Sequence, residues 1–431
     1  MSKINFIFSI LFSFFLISCD DSKINRTDFF EIDKKEYLDK LEGFWLGQSI
    51  ANWTGLITEM DKIGNIGQIK TGKFYTRHNW GGKDETNIWS SETSNNEINF
   101  VFREKGEIWG SDDDTDIEYM YQELLFQSNQ TILSPQDIRD GWLKHIKIEE
   151  ENFLWVSNQK AFDLMNEGLL PPKTSDPRFN EHFDMIDAQL TTEIFGLLSP
   201  INYKYALKMS NLPVRTTGRG DAALISEFYI IIHSLASTIN KSKPLDKELI
   251  RISDLASEIL NNNSYSFKMY DYVKSNFESG ITWEQTRDSI YQRYQVDQKD
   301  GYDITSRNLY CNGCFASGIN FAASLVSYFY GKGDFKETIK IATLSGWDSD
   351  NPASTWGGLL GFIHGKDEIE KIFNKSMSST YNIHRTRQNF KNNGIDDFRN
   401  MSMKGTDIVD NVVKKTGGIV DQKNNKWLIK N

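Results

Sequence analysis

The chain has 431 residues, of which 39% are hydrophobic, 13% aromatic and 25% charged, the composition of a globular protein that can bury a core. Its formal net charge is -10 and the sequence has no strong basic stripe, which argues against an extended nucleic-acid surface. No nucleic-acid partner is therefore expected, and an enzyme or a binding protein remains.

Residues 1–19 have the pattern of a targeting segment. Lys3 is followed by an apolar run at residues 6–17, shorter than the ~20 residues that a membrane-spanning helix needs. The run ends at Ser18-Cys19, which is similar to the bacterial lipobox, where the cysteine is lipidated and becomes the first residue of the mature chain. The alternatives are an ordinary secretory signal and a short anchor. We expect Cys19 to carry lipid and to hold the protein in the bacterial cell envelope, facing the periplasm or the exterior.

The remaining sequence predicts a tether followed by one folded unit. Residues 20–35 are polar and are predicted to connect the membrane anchor to the domain. No linker rich in Pro, Ser or Gly interrupts residues 36–431, so we expect a single large domain. Apolar residues recur at helical spacing through most of this range, which predicts an all-α protein.

A small β-rich insertion is predicted at about residues 60–110. Glycines alternate there with short β-like runs, and residues 99–102 have the pattern of a strand. The insertion leads directly into an acidic cluster, so we expect it at the rim of a site. Its aromatic residues include Trp80, Trp89 and Trp109, which could stack on a ring of a ligand.

The first predicted helix, residues 36–55, carries a stripe of small residues. Gly43, Gly47, Ala51 and Gly55 recur every four positions, although each glycine inside a helix costs about 1 kcal/mol relative to alanine. The close approach of a neighbouring helix or of a ligand would compensate for this cost. A tightly packed core helix is at least as good an explanation as a ligand for each of these residues.

The first acidic cluster is Gly-Ser-Asp-Asp-Asp-Thr-Asp at residues 110–116. Thr115 and Glu118 have the spacing of a capping box, and apolar residues follow on one helical face. The carboxylates are therefore predicted to lie where a helix begins.

Two motifs of uncertain role lie between the two acidic clusters. Residues 187–196 predict a helix in which Gln189, Thr192 and Glu193 are mixed with apolar residues, and buried polar groups need partners, of which a ligand is one. Further on, Cys-Asn-Gly-Cys at residues 311–314 could close a small disulfide outside the cytoplasm. Zinc would need a second pair of ligands, and none is near in sequence.

The second acidic cluster is Gly-Trp-Asp-Ser-Asp-Asn-Pro at residues 346–352. Gly346 is predicted to end one helix, Asn351 to cap the next, and Pro352 to occupy its first position. Two acidic corners that converge could hold Mg²⁺ or Mn²⁺, which favour oxygen ligands. The alternative is that the carboxylates only cap their helices, at about 0.3 to 1 kcal/mol each.

In order and spacing, these motifs resemble those of the ADP-ribosylglycohydrolases, a family that includes the dinitrogenase reductase activating glycohydrolases. That family has a Thr/Ser-Asp-Asp-Thr motif, a later Gly-Gly-Asp-Thr-Asp-Thr-like motif, and a glycine-patterned first helix. The first helix is matched here by Gly43, Gly47, Ala51, Asn52, Gly55 and Glu59. The resemblance covers roughly residues 36–365 and implies a compact orthogonal bundle of helices that binds two Mg²⁺ ions, with Mn²⁺ as an alternative.

The resemblance also implies roles for individual residues. The implied metal ligands are Asp112, Asp113, Asp114, Asp348, Asp350 and Asn351. Asp112 stands where the family has Thr or Ser, and Asn351 where it has Thr, so the charge of the site departs from the family pattern. Glu59 matches a glutamate proposed to activate water. The implied substrate-binding residues are Asn52, Gln189, Thr192 and Glu193.

The implied activity is metal-dependent hydrolysis of the glycosidic bond of an ADP-ribosylated protein or a small ribosyl compound. One alternative keeps the fold and metals but cleaves another glycoside or a nucleoside. The other is a non-catalytic, surface-anchored lipoprotein that binds glycans, a role that the 11 Trp and 17 Tyr residues would suit.

Overall fold

The computed structural model describes residues 29–90, 96–148 and 152–430. The predicted signal segment with Cys19, and residues 20–28 of the predicted tether, lie outside these ranges. Residues 29–35 are not a linker, because they form a β-strand and the start of the first helix. Pairing with the C-terminal strand satisfies the backbone groups on one side of residues 29–33, a long-range contact that the sequence of this segment does not predict.

Most of the described chain is α-helical, which confirms the prediction of an all-α bundle. The first eight helices are α1 (Lys34–Gly55), α2 (Asp113–Ser128), α3 (Pro135–His145), α4 (Val156–Asn166), α5 (Asp187–Leu190), α6 (Ile194–Leu197), α7 (Tyr203–Thr217) and α8 (Asp221–Leu235). The next eight are α9 (Leu245–Ser257), α10 (Tyr265–Glu278), α11 (Trp283–Ile290), α12 (Ser317–Gly331), α13 (Phe335–Ser345), α14 (Asp350–His364), α15 (Lys366–Phe373) and α16 (Phe398–Lys415). Among these described helices, none is both long and apolar enough to cross a bilayer.

The strands are short and lie at the edges of the bundle. They are β1 (Phe29–Asp33), β2 (Asn65–Ile66), β3 (Ile69–Lys70), β4 (Trp109–Gly110), β5 (Thr380–Asn382), β6 (Ile395–Asp397), β7 (Ile419–Asp421) and β8 (Lys426–Lys430). One sheet has the order β1-β8-β7, another has the order β4-β5-β6, and β2 and β3 form a hairpin. Strand β4 runs parallel to β5, and this pairing fixes where the chain enters α2.

Helices α1 and α14 cross at the centre of the bundle through their glycines. A Cβ atom on Gly43 would lie 2.2 Å from the carbonyl oxygen of Gly361, and one on Gly47 would lie 2.3 Å from that of Gly357. Real Cβ atoms do not approach backbone so closely, so both positions require glycine. The small-residue stripe of α1 therefore accommodates a neighbouring helix, which decides between the two explanations that the sequence left open.

The predicted β-rich insertion at residues 60–110 contains little β structure. Its described part has only the β2–β3 hairpin, β4 and isolated bridges, and the strand predicted at residues 99–102 is wrong. Phe100 and Phe102 instead pack edge-on against Phe373 of α15, at ring-centroid distances of 5.0 and 4.9 Å. The two phenylalanines alternate with other residues because both pack against a helix, and this packing requires no partner strand.

Candidate metal centre

The first acidic corner is the N-terminus of α2. The N-cap is Asp112, whose backbone N–H donates to Thr115 Oγ1 at 3.0 Å. The helix therefore starts earlier than predicted, and the proposed capping box between Thr115 and Glu118 is wrong. Glu118 instead lies in the protein interior, where it accepts hydrogen bonds from Gln48 at 2.7 Å and from the backbone N–H of Ile194 at 2.6 Å.

The second acidic corner lies between α13 and α14. Gly346 ends α13 with a φ of +95°, and a Cβ atom there would lie 2.4 Å from the carbonyl oxygen of Lys62. The next residue, Trp347, donates its N–H to that same carbonyl at 2.7 Å and accepts from the N–H of Met60 at 2.9 Å. These bonds tie the corner to the segment that follows α1, and so bring Glu59 beside it.

Helix α14 begins two residues earlier than the sequence predicted. It starts at Asp350 with Ser349 as the N-cap, so the predicted cap at Asn351 is wrong. Ser349 Oγ donates to the carbonyl of Gly55 at 3.0 Å and lies 3.0 Å from Thr58 Oγ1. The start of α14 is thereby fixed against the end of α1.

The two corners, separated by more than two hundred residues in sequence, converge on one site. Asp112, Asp113, Asp114 and Asp350 each offer a carboxylate oxygen, and these oxygens all lie within 4.8 Å of one another. A second group within the same limit joins Glu59, Asp348 and Asp350. Asp350 belongs to both groups and so connects the two sets of carboxylates, which together could hold a metal ion.

Burial and mutual repulsion raise the proton affinity of these carboxylates. Burial, followed by the charges of neighbouring carboxylates, raises the pKa of Asp113, Asp114 and Asp350 well above its usual range. Burial and the Asp348 charge raise the pKa of Glu59 in the same way. For Asp348, burial and then the Asp187 charge raise the pKa to about 7. A divalent cation would relieve this repulsion and favour the ionised forms.

Unused oxygen atoms at the site fit cation ligation. Among the described residues, Asp350 Oδ1 and Asn52 Oδ1 are buried and accept no hydrogen bond. Leaving a buried acceptor unsatisfied costs about 1–3 kcal/mol, so such atoms usually have a function. The donor set consists of oxygen atoms, mostly carboxylates, which suits Mg²⁺ or Mn²⁺.

Comparisons with known proteins identify the family of the chain. The sequence model of the ADP-ribosylglycohydrolase family matches residues 33–386. The chain belongs to this family. A solved structure described as an ADP-ribosylglycohydrolase-related protein complex aligns with a TM-score of 0.49 and 14% identity, over 88% of this chain and 99% of that one. A search of curated proteins finds no match.

An arginine near the site compensates for one departure from the ADP-ribosylglycohydrolase motif, the aspartate at position 112. Asp112 replaces the family's Thr or Ser and adds a negative charge, and Arg385 forms an ion pair with it at 2.7 Å. The guanidinium also lies over the rings of Trp53 and Phe153, at 4.9 and 5.0 Å from their centroids. Arg385 therefore offsets the additional charge. No local sequence pattern points to Arg385, because it lies 273 positions from Asp112 and outside every motif.

Two predicted site residues hold the carboxylates in place. Asn52 Nδ2 donates to Asp112 Oδ2 at 3.2 Å and to Asp114 Oδ2 at 3.5 Å. Asn351 Nδ2 donates to Asp114 Oδ1 at 2.7 Å, while its own oxygen accepts from Gln189 at 2.8 Å. These contacts place Asn52 and Asn351 at the centre and orient Asp114. Ligation by Asn351 and substrate binding by Asn52 and Gln189 stay predictions.

The other two predicted substrate-binding residues are buried behind the centre. Thr192 donates its hydroxyl to the Ala188 carbonyl at 2.7 Å, one turn back in its own chain segment. Glu193 accepts from Thr355 at 2.6 Å, and burial raises its pKa to about 7. The helix predicted at residues 187–196 is in fact two short helices, α5 and α6, joined by a turn. Their contact with a substrate stays a prediction.

A buried ion pair that sequence reasoning missed anchors the first corner. Asp116 in the first turn of α2 pairs with Arg387 at 2.9 Å, and both side chains are fully buried. Removing one partner of such a pair typically costs about 3–5 kcal/mol, since the other charge is left without compensation. The segment around residues 385–387 therefore fixes the acidic corner through two arginines.

Proposed function

We propose that this glycohydrolase family member cleaves the glycosidic bond at C1 of ribose in an ADP-ribosyl or related ribosyl substrate, using two divalent cations. The observation that carries the proposal is the pair of carboxylate groups that share Asp350. Mg²⁺ is the expected ion and Mn²⁺ the alternative, because both prefer oxygen ligands.

The residues of the centre suit this reaction. When bound, the divalent cations would orient the ribose hydroxyls and a water molecule and stabilise negative charge on the leaving group. Glu59 would accept a proton from the attacking water. The support is that it lies beside Asp348 and Asp350 and that burial, followed by the charge of Asp348, raises its pKa. Asn52 donates to Asp112 and Asp114, and its own buried oxygen accepts no hydrogen bond at the same site.

The alternative of a non-catalytic glycan-binding lipoprotein has less support. Stacking and hydrogen bonding to a glycan require exposed aromatic and amide groups, and such a protein gains nothing from six carboxylates collected in one largely buried site. Burying carboxylates without cations costs several kcal/mol each. Hydrolysis of another glycoside or of a nucleoside is compatible with the same centre and differs only in the substrate.

A substrate screen tests the proposal directly. The full-length protein, freed of metal with a chelator and then supplied with Mg²⁺ or Mn²⁺, is incubated with ADP-ribosylated protein, free nucleosides and oligosaccharides. We expect release of a free reducing sugar from at least one class, and only in the presence of metal. Hydrolysis that persists in the chelator would contradict the metal-dependent mechanism, and no hydrolysis of any class would favour the binding protein.

We further propose that Cys19 is lipidated and anchors the protein in the bacterial cell envelope. The support is the short apolar run that ends in Ser18-Cys19. Replacing Cys19 with serine is expected to leave the signal segment uncleaved and to prevent labelling by a palmitate analogue. A Cys19→Ser protein that is processed and labelled like the original would contradict this assignment.

A further inference from the structure

Two buried glutamates lie behind the metal centre and belong to neither of its acidic groups. We call Glu118 of α2 and Glu193, the N-cap of α6, the carboxyl pair. Their side chains are buried, with residue exposures of 0% and 2%. Their hydrogen-bond partners in the described chain are amides, a hydroxyl and each other, and no basic side chain is among them. Burying carboxyl groups in this way is costly, so the carboxyl pair needs an explanation.

The carboxyl pair holds a proton. The two side chains are hydrogen-bonded to each other, and two ionised carboxylates have no hydrogen to donate, so this bond requires a proton on one of them. Burial, followed by the charge of Glu193, raises the pKa of Glu118 well above its usual range, so Glu118 is the member that keeps the proton. Glu118 therefore donates to Glu193, which can accept from a second donor as well.

The first connection from the carboxyl pair to the metal centre is a chain of uncharged side chains. Thr355 of α14 donates its hydroxyl to Glu193 at 2.6 Å and accepts from Gln189 Nε2 at 3.3 Å. Gln189 Nε2 also donates to Asn351 Oδ1 at 2.8 Å. Asn351 Nδ2 in turn donates to Asp114 Oδ1 at 2.7 Å. Because each bond restricts the orientation of the next group, the chain connects Glu193 to a carboxylate of the centre.

The second connection reaches the backbone of the same aspartate. Gln48 of α1 donates to Glu118 Oε2 at 2.7 Å and to the carbonyl oxygen of Asp114 at 3.3 Å. The other oxygen of Glu118, Oε1, accepts from the backbone N–H of Ile194 at 2.6 Å, which fixes this side chain against the start of α6. The side chain and the main chain of Asp114 are thus both connected to the carboxyl pair.

Both glutamines in these connections act only as donors. Gln48 Oε1 and Gln189 Oε1 are buried and accept no hydrogen bond within the described part of the chain. Each such unpaired acceptor costs about 1–3 kcal/mol, so the orientation of the two amides must be favoured by strong acceptors that face their nitrogen atoms. The carboxyl pair supplies an acceptor to Gln48 directly. It supplies one to Gln189 indirectly, because Thr355 directs its hydrogen to Glu193 and keeps a lone pair for the amide.

We propose that Glu118 and Glu193 are positioning residues of the metal centre, which hold the Asp114 carboxylate in the orientation in which it joins its acidic group. Glu118 supplies the proton that fixes Glu193, and Glu193 fixes Thr355. The inference rests on the proposed metal-dependent function and deepens it, since it adds two residues outside the acidic corners on which the cation affinity depends. Removing a group that orients metal ligands typically lowers the affinity about 10- to 100-fold. This role requires no contact between Glu193 and a substrate.

The test is the calorimetric affinity of the folded, chelated protein for Mg²⁺. Thr355→Val replaces the hydroxyl with a methyl group of similar size, and we expect it to weaken Mg²⁺ binding about tenfold. Thr355→Ser keeps the hydroxyl and is the matched control, which should bind Mg²⁺ as tightly as the original protein. Glu193→Gln keeps the size of the side chain but has one acceptor oxygen instead of two, so it should also bind about tenfold more weakly. A purely structural role would lower the melting temperature and leave the Mg²⁺ affinity of the folded variants unchanged.

Infrared spectroscopy tests the shared proton separately. A protonated carboxyl group has a carbonyl stretching band that a carboxylate lacks, and Glu118→Gln should remove one such band from the spectrum of the Mg²⁺-loaded protein at neutral pH. An unchanged spectrum would overturn the inference, as would equal Mg²⁺ affinity of the Thr355→Val and Thr355→Ser proteins. The proposed function would survive either result, provided that the original protein binds Mg²⁺ and shows metal-dependent hydrolysis in the substrate screen. An original protein that binds no Mg²⁺ would refute both.

Discussion

Replacing Asp350 with asparagine is expected to abolish divalent-cation binding and hydrolysis together. Asp350 is the one carboxylate that belongs to both acidic groups, so its loss would remove a ligand from both proposed ion positions. The affinity for Mg²⁺ should fall by more than about 100-fold, exceeding the 10- to 100-fold effect of groups that only orient ligands. Isothermal calorimetry on the chelated protein measures the affinity, and release of reducing sugar measures the activity.

The same substitution should not harm the fold. Burial and the charges of Glu59 and Asp348 raise the pKa of Asp350, so removing its charge relieves repulsion in the metal-free protein. We expect an unchanged or higher melting temperature without metal, and no further increase when Mg²⁺ is added. Asp140→Asn is the control, because Asp140 is an exposed aspartate of α3. If the Asp350→Asn protein binds Mg²⁺ as tightly as the original protein, the prediction is wrong, and the acidic corners act only as helix caps.

The thermal stabilisation of the protein by Mg²⁺ should also depend on pH. The pKa of Asp348 is raised from 3.8 to about 7, so the folded state binds its proton more tightly than the unfolded state does. The stability that this group contributes is present below about pH 4 and is lost as the pH rises to about 7. Mg²⁺ competes with the proton, so the increase in melting temperature on adding Mg²⁺ should grow across this range. Asp348→Asn should reduce this pH dependence, and the raised pKa values of Asp113, Asp114, Asp350 and Glu59 should account for what remains.

Glu59→Gln is expected to lower the turnover number by about 10²- to 10⁴-fold, the usual contribution of a general acid or base. Glutamine keeps the shape of the side chain but cannot accept the proton from water. Because Glu59 belongs to only one of the two acidic groups, metal binding should be largely kept. The measurements are the steady-state rate on the substrate found in the screen and the calorimetric affinity for Mg²⁺.

The comparison with Asp350→Asn separates a base from a ligand. If Glu59→Gln loses metal binding as completely as Asp350→Asn does, Glu59 is a ligand and the water is activated by another group. If hydrolysis is unaffected, Glu59 has neither role. Glu167→Gln, at an exposed position after α4, provides the control and should retain full activity.

The sequence by itself predicted the family and the helical fold, and it singled out the acidic residues that the structure brings together. Helical periodicity is a local property, because it reflects which side of a segment is buried. The acidic corners could be predicted for the same reason. The glycine that ends α13 and the aspartates that begin α2 and α14 belong to short-range sequence patterns. The glycine stripe of α1 was also visible, although its partner was not.

Only the tertiary structure decided how these pieces act together. Asp350 joins both acidic groups, Arg385 offsets the charge of Asp112, and Asn52 holds the carboxylates of α2, all through contacts between distant parts of the chain. The pairing of residues 29–33 with the C-terminal strand and the stacking of Trp89 on Trp155 are of the same kind. Such contacts depend on how helices pack, and a single sequence records burial along each segment but not which segments meet.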